Sequence, residues 1–242
     1  MERIKLTAVS YLNTKPLLYG LIHHEELNNQ IDIELDIPSV CADKLLQGEV
    51  HMGLVPVAAI PAIQRAYPQA QVVSDYCIGC EGKVKTVAIY SDCPIQEVEE
   101  LYLDFHSRSS VQLVQVLLQK HWKLSPRLLQ AEEGFIHKIK AKRAALVIGD
   151  RSIGLENRHP YSYDLGEVWK KFSGLPFVFA VWVSIVPLSE NFIQAFNDAL
   201  AYGIRQIPKL VYLLPRPQST FDLKEYFSKY ISYELNPKKQ EA

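Results

Sequence analysis

An apolar-alternating run, Ile4, Leu6 and Ala8, leads straight into Val9-Ser10-Tyr11-Leu12-Asn13-Thr14-Lys15-Pro16-Leu17. A hydroxyl, a phenol, an amide and a second hydroxyl thus follow one strand end. Open α/β sheets bind small molecules outside the carboxyl ends of their strands, so these donors and acceptors stand where a ligand would sit. Ser10 or Asn13 taken alone is equally well read as an ordinary helix cap. Ser107, Ser109 and Ser110 open a second amphipathic helix. Free N–H groups, the positive dipole end and hydroxyls together make an anion site there, whereas a cap needs only one serine. Ser39, after Pro38, marks a further helix start as its expected N-cap. Two such ends facing one cleft suit a dicarboxylate. A Gly-rich phosphate loop is missing from both, which disfavours a nucleotide. Gly149-Asp150 ends a buried-strand pattern, with Asp150 open to three roles: orienting a substrate hydroxyl, capping, or acid–base work.

Other reactive residue types form no recognisable set. Cys77-Ile-Gly-Cys80 is a C-x-x-C, but no second pair with zinc-site spacing follows it. Glu81-Gly82-Lys83 leads on toward a strand, where a thioredoxin-like pair would open a helix. Free, reduced thiols and no metal site are expected. The seven histidines are scattered, with no H-E-x-x-H and no Ser-His-Asp order.

The elements that must position these groups follow from periodicity. Residues 31–37 alternate as a strand with one buried face. A helix follows from Ser39 and ends at Gly48. Met52-Gly-Leu-Val-Pro56 is a short buried strand, and 58–67 reads as a helix. Strands at 72–76 and 83–90 flank a turn at 79–82. Residues 107–122 form an amphipathic helix with Val111, Val114, Leu117 and Leu118 inward. Residues 144–148 and 177–185 are continuous apolar runs of the fully buried kind. Helices at 192–204 and 223–231 close the chain, and the tail 237–242 is expected to fray.

Strands alternating with helices imply an α/β architecture. The chain has 242 residues, enough for two lobes of about 100 residues each. Residues 1–88 plus 180–242 are expected to form one lobe and 89–179 the other, with a ligand cleft between. Hydrophobic residues make up 48%, enough to fill a core. The net charge is −1 and the basic run 140–143 reads as a solvated helix face, so nucleic acid is not an expected partner. The longest apolar stretch, 177–186, is too short to span a bilayer. The opening Met-Glu-Arg-Ile-Lys lacks a signal peptide's apolar core, and a cytoplasmic location is expected. A homodimer stays open.

Several segments together resemble the chorismate dehydratase family of the futalosine-dependent route to menaquinone. They are Ser10-Tyr-Leu-Asn-Thr-Lys-Pro-Leu17, Pro38-Ser39-x-x-Ala42, Gly53-Leu-Val-Pro56, Leu146-Val-Ile-Gly-Asp150, Asp164-Leu-Gly-x-x-Trp169 and Ser173-Gly-Leu-Pro-Phe-Val-Phe-Ala180. The related dihydroxynaphthoate-forming enzyme opens with a Ser-Pro-Cys-Pro-Asn-Asp-like motif, absent here. The resemblance implies a two-lobed fold like that of the type 2 periplasmic binding proteins. It implies loss of water from chorismate to give 3-[(1-carboxyvinyl)oxy]benzoate, with neither metal nor organic cofactor. It places Asn13 in the catalytic cleft. Thr86 falls where the family commonly has a serine, and its added methyl restricts the hydroxyl. Ser10, Tyr11, Ser39, Val55, Ser107, Ser109, Ser110, Gly149 and Asp150 are then the candidate substrate contacts. No strong base stands out, which leaves the substrate's own side-chain carboxylate as a candidate proton acceptor. A non-catalytic small-carboxylate binding protein and the dihydroxynaphthoate-forming enzyme are the alternatives.

Overall fold

Strand β1 (Ile4–Val9) buries Leu6, Ala8 and Val9 and pairs in parallel with β2 (Ile31–Asp36) and β3 (Met52–Pro56) in the computed structural model, which describes residues 3–241. Helices α1 (Lys15–His23), α2 (Glu25–Asn28) and α3 (Pro38–Gln47) make the parallel crossovers, as parallel neighbours require. Helix α4 (Ile60–Ala66) leads to the long strand β4 (Gln71–Cys80).

The chain then crosses to a second sheet of order β7-β6-β8-β5-β9. Its strands are β5 (Val87–Ser91), β6 (Glu100–Leu103), β7 (Arg127–Gln130), β8 (Arg143–Ile148) and β9 (Tyr161–Asp164). They carry α5 (Ser109–Val116), prolonged by a π turn at Leu117–Trp122, and α6 (Leu165–Ser173). The return strand β10 (Phe177–Ser184) inserts antiparallel between β3 and β4. Paired on both sides, it is buried along nearly its whole length, which accounts for its unbroken apolar sequence.

Helices α7 (Glu190–Arg205), α8 (Ile207–Leu213) and α9 (Leu223–Glu225) follow, then β11 (Ser232–Glu234) and α10 (Pro237–Gln240). The first sheet is thereby completed as β11-β4-β10-β3-β1-β2. Ser189 caps α7 by accepting from the Phe192 N–H at 3.2 Å. The stripe Phe192, Phe196, Ala199, Leu200 and Gly203 is buried. It meets α1 so closely that a Cβ on Gly20 would stand 1.9 Å from the Ala199 carbonyl oxygen, and one on Gly203 1.9 Å from that of Pro16. Only glycine permits that approach.

The two-lobed α/β form matches the sequence reading, with four differences of detail. The C-x-x-C lies inside β4, not in a turn, because Cys77, Ile78 and Gly79 pair with β10. Val87 and Ala88 pair in the second sheet, and Phe177 and Val178 in the first. By sheet membership the crossings are 81–86 and 174–176, a few residues ahead of both boundaries drawn from sequence. The basic run is a turn in which Lys140 and Arg143 exchange backbone bonds around Ala141 at φ 53°. Within the described tail, α10 docks through Lys239, which is 3% exposed and whose ammonium donates to Ser232 and the Glu234 carbonyl. Ala242 lies outside the described residues.

Candidate active site

The parallel strands β1 and β3 end at Val9 and Pro56, and β8 of the other lobe ends at Ile148. All three ends border one cavity of about 50 Å³ between the lobes, the placement open α/β sheets favour. Its wall is mostly apolar, with Ile78, Val84, Val87 and Phe179 completing it. Tyr11, Asn13, Ser107, Ser110 and Gly149 supply the polar part. A groove of about 1020 Å³ exists elsewhere, beside β11 and α8. It borders no strand end of the parallel set and holds none of the residues singled out from sequence.

Of the candidate residues, five therefore line the cavity: Tyr11, Asn13, Ser107, Ser110 and Gly149. Asn13 follows β1 in a 3-10 turn, Leu12–Thr14. Its Oδ1 accepts from the Thr14 hydroxyl at 3.2 Å, and its carbonyl accepts from the buried Tyr233 phenol at 2.8 Å. Its amide NH₂ has no hydrogen-bond partner among the described residues. Ser107 Oγ accepts from the Ser110 N–H at 3.0 Å, the capping role, while Ser110 keeps its own hydroxyl. Gly149 has φ 64°, and a Cβ there would lie 2.5 Å from the Tyr11 ring. Tyr11 is seated on that glycine.

The other six candidates lie outside the cavity lining. The backbone N–H of Ser10 donates to the Asp36 carbonyl at 2.9 Å. Val55 is fully buried in β3 opposite Val181, a core position. Ser39 caps nothing: α3 begins at Pro38 with Ile37 at the cap position, and the Ser39 N–H donates across the cleft to the His106 carbonyl at 3.1 Å. Thr86 is 1% exposed; its hydroxyl lies 2.8 Å from that of Tyr226, and its carbonyl accepts from the Gly149 N–H at 2.8 Å. It supports the cavity floor from behind. Ser109 donates across the lobes to the Phe179 carbonyl at 2.8 Å and accepts from the Ala58 N–H at 3.3 Å. Asp150 accepts from the Leu12 N–H at 3.0 and 3.2 Å. Burial pushes the Asp150 carboxyl upward, against the pull of that N–H and of Lys15.

Two groups, Asp104 and His106, went unassigned in the sequence, and a third, Arg108, was expected to face solvent. Asp104 is fully buried and holds Arg151 at 2.6 and 2.7 Å, together with the N–H groups of His106 and Ile148. His106 hydrogen-bonds the Tyr11 phenol through Nδ1. Burial holds that phenol well above its usual range against the pull of Arg151, so it keeps its proton. Arg108, which an exposed helix start would send to solvent, instead pairs across the cleft with Asp43 of α3 at 2.5 Å. The one signal for these in the sequence was their nearness to the Ser107 helix start and to Gly149.

The thiols are buried and unpaired. Burial raises Cys77 to about 11, and Cys41 and Cys80 to about 12. Among the described residues no three His, Cys, Asp or Glu side chains group as metal ligands, and no helix is long and apolar enough to cross a membrane.

A family model described as menaquinone biosynthesis matches residues 4–242. The chain is 26% identical over 216 residues to a chorismate dehydratase of Thermus thermophilus, covering 81% of this chain and 76% of that one. A protein from Archaeoglobus fulgidus shares the fold with a TM-score of 0.72 at 12% identity, covering 98% of this chain and 92% of the other. The periplasmic aliphatic sulphonate binding protein of Escherichia coli gives 0.56 at 15% identity, over 88% and 77%. These likenesses establish the periplasmic-binding-protein-like fold; at such identities they carry nothing further.

Proposed function

The chain belongs to the menaquinone biosynthesis family, and from that premise we propose that it removes water from chorismate to give 3-[(1-carboxyvinyl)oxy]benzoate. The observation that carries this reading is the convergence of Asn13 and two helix N-termini, at Pro38 and at Ser107 with Ser110, on one apolar-walled cavity. Chorismate brings two carboxylates to such a site, and helix N-termini favour anions. The C3–H electron pair forms the new ring double bond, the C4–O bond breaks, and hydroxide leaves with a proton as water. Aromatisation supplies much of the driving force, so the protein has chiefly to fix geometry and stabilise developing charge. The Asn13 NH₂ is the donor assigned to the departing C4 oxygen.

No carboxylate or imidazole is among the cavity-lining groups, and the Asp150 carboxylate is spent on the Leu12 N–H. The base in this reading is the enolpyruvyl carboxylate of the substrate itself. A cytoplasmic location belongs to the same proposal.

The test is incubation with chorismate, following the ultraviolet absorbance of an aromatic product. A second reading, a non-catalytic carboxylate-binding protein, draws on the sulphonate binding protein among the structural neighbours. Tight chorismate binding without product would select it.

A further inference from the structure

His106 joins the two lobes through both its backbone and its side chain. It belongs to the loop between β6 and α5 of the second lobe. Its carbonyl accepts from the Ser39 N–H of the first lobe at 3.1 Å, and its Nδ1 bonds the Tyr11 phenol of the first lobe. The Tyr11 and His106 rings lie nearly parallel, 14° apart. On the other side His106 is braced by the Phe105 ring, 4.4 Å away edge-on, and by its own N–H on Asp104 at 2.9 Å. Asp104 also anchors Arg151, whose guanidinium lies over the Phe105 and Phe135 rings. The Arg151 Nε is buried with no hydrogen-bond partner. Asp104 thus orders one rigid assembly behind the single side-chain bond that reaches over to Tyr11.

We propose that His106 is a positioning residue of this site: acting through the Tyr11 phenol, it latches the second lobe onto the first above the cavity, and the latch holds only while the imidazole is neutral. Tyr11 keeps its proton and donates, so Nδ1 must accept, which a protonated ring cannot do. The charged groups facing His106 are Arg151 from the turn after β8 and Asp104 from its own loop. From the first lobe it meets Tyr11 and the uncharged Ser39 N–H. Burial first, and then Arg151, hold the imidazole below its usual range, and Asp104 opposes them only in part. When the lobes part, His106 meets water and regains an ordinary value of about 6.5. A group whose value is lowered by closure favours the closed form fully above its open-state value. Closure is then lost as pH falls through about 6.5, by up to ~10-fold per pH unit until the closed-state value is reached. Asp150 titrates in the same interface, so the His106 contribution is the difference between native and variant profiles.

Only the turnover arm of the test rests on the dehydratase reading. Hydrogen exchange at the Leu12 and Ser39 amides, both of which donate across the cleft, reports closure without any substrate. In the native protein their protection factors should fall between pH 6.5 and 5.5, by at most about 5-fold, since the open-state imidazole goes from half to about nine-tenths protonated over that interval. His106→Asn keeps an acceptor near the Nδ1 position but cannot titrate, and its protection should fall clearly less than the native over that interval, what remains being the Asp150 contribution. Tyr11→Phe, which keeps the imidazole but removes the donor, should lose protection even at pH 8. With chorismate, the acid limb of kcat/KM should be present in the native protein and clearly smaller in His106→Asn, mainly through KM. A native profile flat in protection, or the same acid fall in His106→Asn, overturns the latch. Failure of turnover alone overturns the proposed function and leaves the exchange result to decide the latch.

Discussion

Replacing Gly149 by alanine separates the backbone demand at the cleft from the packing demand across it. Gly149 has φ 64°, and a residue with a Cβ pays about 1–2 kcal/mol to stay in that left-handed region. This cost falls on the second lobe whether the lobes are open or closed, so it should appear as lowered folding stability. The added Cβ would also lie 2.5 Å from Cε2 of Tyr11, against a normal carbon–carbon contact of about 3.5–4.0 Å. The ring belongs to the other lobe, so parting the lobes relieves the clash, and its ~1–3 kcal/mol falls on closure. Urea unfolding of Gly149→Ala should therefore show a loss of about 1–2 kcal/mol, and chorismate turnover should fall by about 5- to 150-fold in kcat/KM. If kcat/KM stays native while stability drops, closure over Tyr11 plays no part in the reaction and the reasoning fails.

Asn13→Ala should lower turnover by roughly 10²-fold or more while changing substrate binding less, as loss of one preorganised donor does; steady-state kinetics would show it, and near-native kcat would remove Asn13 from the mechanism. Asp164 accepts from the N–H groups of Val84, Lys85 and Glu167 at 3.1, 2.6 and 3.0 Å, tying the 81–86 crossing to the start of α6. Asp164→Ala loses a cap and orphans buried donors, and should cost about 3–5 kcal/mol in denaturant unfolding; a loss under ~1 kcal/mol would contradict that role. With Cys77 and Cys80 on a buried strand and their thiols raised by burial, turnover should persist in excess chelator and in the Cys77→Ser, Cys80→Ser double variant. Activity lost to chelator and restored by zinc would reverse the reading of the C-x-x-C.

Strands with two buried neighbours were legible because burial on both faces writes itself into the sequence as an unbroken apolar run, as in β8 and β10. Of the edges, only β2 showed its alternation. The four-residue β7 and β9 and the three-residue β11 are too short for alternation or an apolar run to mark them, and only pairing with a formed neighbour makes them strands. Gly79 misled in the opposite direction. It is in β4 because a Cβ there would come 2.9 Å from the Phe177 carbonyl oxygen, a close approach of backbones that local sequence reads as a turn. At the cleft, strand ends and helix starts were visible as clusters of small polar groups. What each group does was not, because the deciding partners lie far along the chain. The Tyr11–His106 bond spans 95 positions and the Leu12–Asp150 bond 138. Thr86 reads as a cleft hydroxyl until Tyr226, 140 positions on, takes it.

The size of the cavity ties closure to the proposed chemistry. At about 50 Å³ it falls well short of the about 300 Å³ at which small-molecule pockets begin, so a substrate enters only as the lobes part. Opening breaks the bonds of Ser39, Ser109 and Leu12 and the Arg108–Asp43 pair, each worth about 0.5–1.5 kcal/mol net. In the proposed function, reclosing on substrate re-forms the part of this set that its bulk allows and leaves one carboxylate against the apolar wall of Val9, Ile78, Val87 and Phe179. A carboxylate held at a helix N-terminus is stabilised as the anion, whereas one left against apolar walls is desolvated and becomes a stronger base. In the proposed function, a substrate with two carboxylates meets both conditions at once: one anchors, the other takes the C3 proton. A carboxylate side chain aimed into the cavity would have been desolvated by the same walls even without substrate, and would have stayed protonated instead of waiting as a base. The absence of such a side chain among the lining residues is, on this reading, what lets closure itself switch the base on.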